Sequence, residues 1–492
     1  MKKISLSIVS IMAVTALHAG TDGVNTKLNH GVDAKVIAKS VKSVDDLSSM
    51  FSEGKTSGQI RMFYLNREYQ GGAFQGATIA AHRDVTTLGG HLKFETAKLN
   101  GFNMAMAFYT VQDLGIEAEK LKEPAMLGSG NKSYSILGEA YLGYDFDALG
   151  SKTKAKIGYQ RYNSPMMGSD DVRTIPTTFR AYKFVNKDIA GTTIQIAHVD
   201  SIAYGTFGNV YLSNNDGTRK NGGLLAATSG YSAVESTIGE YHNMGVAAVG
   251  RTTAGVTNIG VKYKAKNFHV KVSNDYAWDL YNTLYVDAGV SWNCMLNKDV
   301  KPFLKGQVIK QNSVGGEYMK NVATPLGYSD AGSIDSLFVA LKVGVKYAGL
   351  TAYVAYSQTG ANTATEKANN PFQNAIVTQF GGTPSFTQGM VMRHQFLAGT
   401  KATKVAASYN FKEHGVNLST AAYYVSYDMD ANSGYGVART ATEPGFDIKY
   451  YPASVKKLQL RFRGNYPRKF AESTPGNDVG WDEYRLIANY NF

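Results

Sequence analysis

The sequence predicts an all-β fold, a transmembrane antiparallel β-barrel of about eighteen strands with long external loops. Three observations predict it: period-two segments of about ten residues, regular alternation of short and long connections, and a composition rich in strand and turn residues. Gly 51, Tyr 32 and Phe 22 stand against Pro 11, Trp 3 and Cys 1, a balance that favours strands over helices. With 43% hydrophobic residues and a mean hydropathy of −0.23, the 492-residue chain has no Pro-rich or Ser-rich linker to divide it.

Residues 1–19 read as a secretory signal peptide: Lys2 and Lys3, an apolar stretch from Ile4 to Leu17, then small residues ending at Ala19. No run of 18 apolar residues follows, so export ends in the periplasm, in the medium or in a membrane barrel. Residues 20–57 form a periplasmic arm or short helix, because Val44, Leu47, Met50 and Phe51 share one helical face and Gly54 lies just past its end.

From Gly58 the period is two. In the final segment Tyr484, Leu486, Ala488, Tyr490 and Phe492 lie on one face and Glu483, Arg485, Asn489 and Asn491 on the other, so one face suits lipid and the other water. The strands expected on this basis are 58–68, 86–97, 101–111, 134–146, 153–163, 176–186, 191–201, 256–265, 267–277, 283–293, 301–311, 335–347, 350–358, 401–412, 416–428, 443–452, 457–466 and 482–492. Short turns such as Ala348-Gly349 alternate with long loops such as 112–133, 202–255, 312–334 and 359–400. The apolar run Met244 to Val249 is placed in the long loop because a nineteenth strand would break this alternation, and Met390 to Leu397 is long enough to hide a similar element. Closure follows from the solvent: each unpaired backbone group in hydrocarbon costs several kcal/mol, so spanning strands leave no edge.

Parity then assigns the water-filled face. Arg61, Arg67, His91, Lys93, Lys154, Lys156, Lys262, Lys271, Lys305, Lys342, Lys346, Lys404, Lys449, Arg461, Arg463 and Arg485 fall on it, with Glu95, Glu139, Asp145, Asp275, Asp287, Asp447 and Glu483. Sixteen bases against seven acids give a lumen that concentrates anions. The whole chain carries +12, or 49 − 39 = +10 without Lys2 and Lys3, and has no run of five bases, which argues against nucleic acid as a partner. Only Tyr141 and Tyr285 are read as inward tyrosines, too few for a sugar-stacking stripe. Cys294 has no partner for a disulfide, there is no Cys/His cluster for a metal, no cofactor is implied, and the nine histidines fall in no HExxH motif and beside no GxSxG, so an enzyme is not expected.

The string from Tyr159 to Phe184 carries Pro165 and then Arg-x-x-Pro-x-Thr-Phe, supplied by Arg173, Pro176, Thr178 and Phe179. With GQIRMFYLNREY near the first strand and WDEYRLIANYNF at the last, the chain from Gly58 to Phe492 resembles the OprD-like outer-membrane porins, carboxylate and amino-acid channels of Gram-negative bacteria. The resemblance implies an outer-membrane barrel, monomeric or loosely associated, with loops folded inward and a ladder of bases guiding a substrate carboxylate. Arg173 is carried over by the motif. The long fourth loop, 202–255, departs from the pattern.

The function expected is passive uptake of small hydrophilic solutes with a preference for anions or carboxylates, guided by Arg61, Arg67, Lys93, Lys154, Lys156, Arg173, Lys271, Lys305, Lys342, Arg461, Arg463 and Arg485. Asp170 and Asp171, beside Arg173, are candidate constriction acids for a substrate ammonium, which keeps a channel for basic amino acids or peptides as an alternative; a surface adhesin or structural barrel is another. Expected partners are outer-membrane lipid and lipopolysaccharide, small solutes, and the barrel-assembly machinery through the strand ending at Phe492.

Overall fold

A computed structural model describes residues 42–492 apart from 71–72, 75–76, 79–81, 124–125, 170–172, 207–238, 250–251, 316–332, 370–372, 433–437 and 475–476. Eighteen long strands run β1 Lys55–Gln70, β2 His82–Glu95, β3 Phe102–Asp113, β4 Tyr134–Asp145, β5 Lys154–Gln160, β6 Thr178–Asn186, β7 Thr192–Ala203, β8 Val256–Lys264 and β9 Phe268–Ala277. The second half continues β10 Tyr281–Ser291, β11 Lys301–Ser313, β12 Asp335–Tyr347, β13 Leu350–Thr359, β14 Lys401–Asn410, β15 Leu418–Met429, β16 Arg439–Tyr450, β17 Leu458–Asn465 and β18 Asn477–Asn491. Every neighbour in this order pairs antiparallel, and β1 pairs with β18 from Gln59 opposite Asn491 to Gln70 opposite Gly480. The sheet is thereby closed, with no edge strand left in the hydrocarbon.

The alternation has a physical reading in the burial. Along β12, Leu337, Val339, Leu341 and Val343 are exposed on the outer surface, whereas Ser336, Phe338, Ala340 and Lys342 are buried inside. Such a wall offers side chains to lipid on one face and to water or folded-in loops on the other.

Several expected boundaries move. β1 begins at Lys55 rather than Gly58 because pairing with β2 extends to Lys55 opposite Glu95, and β16 begins at Arg439 rather than Glu443 because pairing with β15 extends to Arg439 opposite Met429. β5 and β6 are shorter than the expected 153–163 and 176–186, because residues 161–169 and 173–177 leave the wall and fold into the barrel. Before β1, a short helix α1, Leu47–Ser52, is capped by Asp46, whose carboxylate accepts from the Ser49 amide at 2.9 Å. In the fourth long loop, Met244–Val249 is a helix, α2, with Met244, Ala247 and Ala248 buried, and not a nineteenth strand. Near Met390 to Leu397 the chain holds a single helical turn, His394–Phe396, and again no strand.

The interior core is made by loops. Residues 161–169 and 373–400 meet inside the barrel, where the Gly168 amide donates to Phe380 O at 3.0 Å and Met167 bridges to Phe380 and Gly381. Glycine is needed at this contact: Gly381 has φ 83°, and a Cβ on Gly382 would come within 2.2 Å of Met166 C.

Candidate functional site

One sector of the wall, formed by β16, β17, β18 and β1, gathers the arginines. On β17 and β18, Arg463 stands directly opposite Arg485, and both side chains are buried. Arg485 pairs with Glu483, and its Nη2 donates to Asn465 Oδ1 at 3.2 Å. Two residues further along β17, Arg461 grips Asp447 of β16 with Nε at 2.7 Å and Nη2 at 2.5 Å; Arg463 and Lys449 lie 3.8 and 3.6 Å from the same carboxylate. One acid therefore serves three bases.

Arg61 of β1 holds loop 161–177: Nε donates to Asn489 Oδ1 at 2.8 Å, while Nη1 reaches the carbonyls of Arg173 and Thr174 at 2.7 and 3.3 Å. This sets Arg173, on the folded-in loop, 3.5 Å from Glu483. Glu483 also takes Arg67, whose Nη1 lies 3.0 Å from Glu123 of loop 114–133. The arginines thus do two things: they fasten loops to the wall, and they leave the sector positively charged.

The other candidate lysines lie on β2, β5, β9, β11 and β12. Lys93 donates to Glu139 at 3.1 Å and to Tyr141 Oη at 3.0 Å, and Lys156 stands 3.8 Å from the centre of the Tyr141 ring. Lys154 sits at the strand end, 2.9 Å from Asp145, with its side chain 63% exposed. Lys271 faces the Tyr285 ring at 5.5 Å, and Lys342 lies 4.6 Å from both the Tyr353 and the Phe386 ring. Lys305 is on the inner face opposite Lys342. Asp170 and Asp171, the expected constriction acids, lie outside the described residues.

Two expectations fail. The interior holds more aromatic side chains than Tyr141 and Tyr285, since Tyr109, Tyr353, Tyr423 and Tyr427 are also buried there. The parity of Tyr423 was masked by the adjacent tyrosine, Tyr424, which faces outward. The acids are also undercounted. Glu443 of β16, on the same face as Asp447, is fully buried and accepts from the amides of Met390 at 2.5 Å and Met392 at 2.8 Å, and from Tyr423 Oη. From the next-but-one strand, Lys404 donates to Gln388 O at 2.6 Å, so two wall residues of opposite sign seat residues 388–392. Parity with Asp447 was the available signal for Glu443; nothing local signalled Glu123, which acts from a loop.

The family model for outer membrane porins of the OprD family matches residues 49–492. Among solved structures the chain is similar to OccK9 (OpdG) of Pseudomonas aeruginosa, with TM-score 0.66 and 16% identity, covering 90% of this chain and 99% of that one. It is similar also to OpdK of the same organism with vanillate, at TM-score 0.65 and 15% identity, with coverage of 90% and 99%. OccK2 (OpdF) in complex with glucuronate matches at TM-score 0.63 and 14% identity, covering 90% and 97%. No curated protein sequence matches the chain. A closed eighteen-stranded barrel with inward-folded loops and an arginine-lined wall agrees with the family match, and the chain belongs to the OprD family of outer-membrane porins of Gram-negative bacteria.

Proposed function

We propose that this porin passes small hydrophilic solutes passively and prefers anions, carboxylates in particular. The observation that carries the reading is the arginine sector, where the seven bases Arg61, Arg67, Arg173, Arg461, Arg463, Arg485 and Lys449 outnumber the four acids Glu123, Glu443, Asp447 and Glu483 beside the folded-in loops. Fixed donors in a narrow lumen replace part of the hydration shell of an entering carboxylate and lower its entry barrier. Vanillate and glucuronate, the ligands of two structural relatives, are organic carboxylates, which supports the same class. Lipid and lipopolysaccharide contact the apolar outer face, the last strand engages the assembly machinery, and the barrel works as a monomer or loose oligomer.

The test is block of single channels by monocarboxylates. Arg463→Gln removes one cation while Asp447 keeps its nearer partner Arg461, and the blocking concentration is expected to rise several-fold. Equal block in the variant and the parent would place Arg463 outside the conduction path.

A further inference from the structure

Eight short turns close the end of the barrel where β1 begins and β18 ends, and between them they carry eight lysines, four acids and no arginine. This rim, the periplasmic one in an outer-membrane barrel, is therefore positively charged. Turn tips in water favour Gly, Asn, Asp and Ser, whose backbone or side chain suits the bend. Five of these turns instead set an exposed aliphatic side chain on the same turn as a lysine. On 146–153 the pair is Leu149 with Lys152, on 187–191 Ile189 with Lys187, and on 292–300 Leu296 with Lys298. On 411–417 it is Val416 with Lys412, and on 451–457 Val455 with Lys456 and Lys457. Because these turns follow β4, β6, β10, β14 and β16, the pattern recurs around the circumference rather than in one patch.

The turn 292–300 shows the pattern most fully. The Trp292 amide donates to Pro302 O at 3.1 Å, the Cys294 amide to Val300 O at 2.9 Å and the Val300 amide to Asn297 O at 3.1 Å, so the tip is held in one shape. Met295 and Leu296 are nonetheless 98% and 97% exposed. The protein itself buries neither, although apolar surface gains by leaving water. Trp292 extends the outward stripe of Leu284 and Val290 on β10, which makes the apolar tip continuous with the lipid-facing wall. The bases of the rim are available as well. Among the described residues Lys266 of turn 265–267, Lys298, Lys412, Lys456 and Lys457 form no ion pair. Of the four acids, Asp188 accepts from Ser151 Oγ at 2.8 Å, the Lys152 amide at 2.5 Å and Asn186 Nδ2 at 2.6 Å, which ties two turns together.

We propose that the short-turn rim is a docking surface for the periplasmic leaflet of the membrane, and that its preferred ligand is an anionic phospholipid of the phosphatidylglycerol class. The aliphatic tips enter the boundary between headgroups and acyl chains, and the lysines meet the lipid phosphates. An apolar side chain with a cation at its flank is how interfacial segments hold such a boundary. A leaflet surrounds a barrel, so a ring of repeated pairs fits it, whereas one protein partner would need a single contiguous patch. Each lysine near an anionic surface adds an attraction that a zwitterionic headgroup does not supply. The rim lies outside the lumen, so this site stands or falls independently of the solute the channel passes.

The experiment is native mass spectrometry of the full-length, detergent-solubilised barrel with equimolar phosphatidylglycerol and phosphatidylcholine of the same acyl chains. The barrel is expected to retain phosphatidylglycerol in at least about tenfold excess. Changing Lys266→Gln, Lys298→Gln, Lys412→Gln, Lys456→Gln and Lys457→Gln together should abolish that preference, and arginine at the same five positions should keep it. Lys132→Gln/Lys401→Gln, exposed at the long-loop end, should leave it unchanged. Met295→Ser/Leu296→Ser should weaken retention of both lipids. Equal retention in the parent, an undiminished preference in the five-lysine variant, or its loss in Lys132→Gln/Lys401→Gln would overturn the site. Lysine-dependent sedimentation with peptidoglycan sacculi, from a barrel with no lipid preference, would assign the rim to that polymer and overturn the lipid assignment.

Discussion

Replacing Glu443 with glutamine should release residues 388–392 from the inner wall. The carboxylate accepts from the Met390 amide at 2.5 Å, the Met392 amide at 2.8 Å, the Val391 amide at 3.3 Å and Tyr423 Oη, all buried. Hydrogen bonds to a charged acceptor contribute about 1.5–3 kcal/mol each, so the two short amide bonds together hold residues 388–392 by roughly 5 kcal/mol. Glutamine keeps one oxygen but turns an N–H toward amides that need an acceptor. Losing about half that energy, ~2.5 kcal/mol, shifts the balance between seated and unseated loop about sixtyfold. The Tyr427 hydroxyl and Lys404, which hold Gly389 N and Gln388 O at 2.7 and 2.6 Å, remain. The expected record in planar bilayers is therefore a folded channel with new, larger conductance substates. A heat-modifiable Glu443→Gln barrel with the parent's single conductance level would refute the argument that this carboxylate seats the loop.

Three further outcomes follow from the same contacts. Asp447→Asn leaves Arg461, Arg463 and Lys449 without their shared buried carboxylate, and should lower stability to urea by about 3–5 kcal/mol. Burial pushes the His394 imidazole down to about 4, so it is neutral and donates from Nε2 to Phe470 O at 2.8 Å. Because its folded pKa lies below its unfolded one, that contribution is complete above about pH 6.5 and is lost as pH falls toward 4; conductance noise should rise over this window in the parent and not in His394→Gln. Gly90 has φ 134°, and a Cβ there would lie 1.8 Å from Gln59 O. Gly90→Ala should therefore destabilise the β1–β2 pairing, read as a lower temperature for the heat-modifiable gel shift.

The wall was legible in the sequence because a side-chain period of two follows directly from pleated backbone in contact with two solvents. Tyr484 to Phe492 states it, with Leu486, Ala488 and Tyr490 on one face and Arg485, Asn489 and Asn491 on the other, and the parity of Arg461 and Arg463 follows from Leu458, Leu460 and Phe462 in the same way. The interior was less legible. Residues 161–169 and 373–400 fold inward through contacts between chain segments far apart, such as Gly168 with Phe380 and Glu443 with Met390, and no local period encodes such pairings. Met244–Val249 reads as an apolar run in either conformation, and only its packing inside the barrel decides for helix. Neighbouring tyrosines at 423 and 424 hide which one points inward. The ion pairs that convert a list of bases into a site, Arg67 with Glu123 and Arg173 with Glu483, depend on loop placement for the same reason.

The central claim, that fixed arginines around Asp447 and Glu483 make the lumen favour anions, is tested most directly by the zero-current potential of single channels under a tenfold potassium chloride gradient. The account predicts a potential with the sign of chloride diffusion, diminished in Arg463→Gln. A potential with the sign of potassium diffusion in the parent would contradict it.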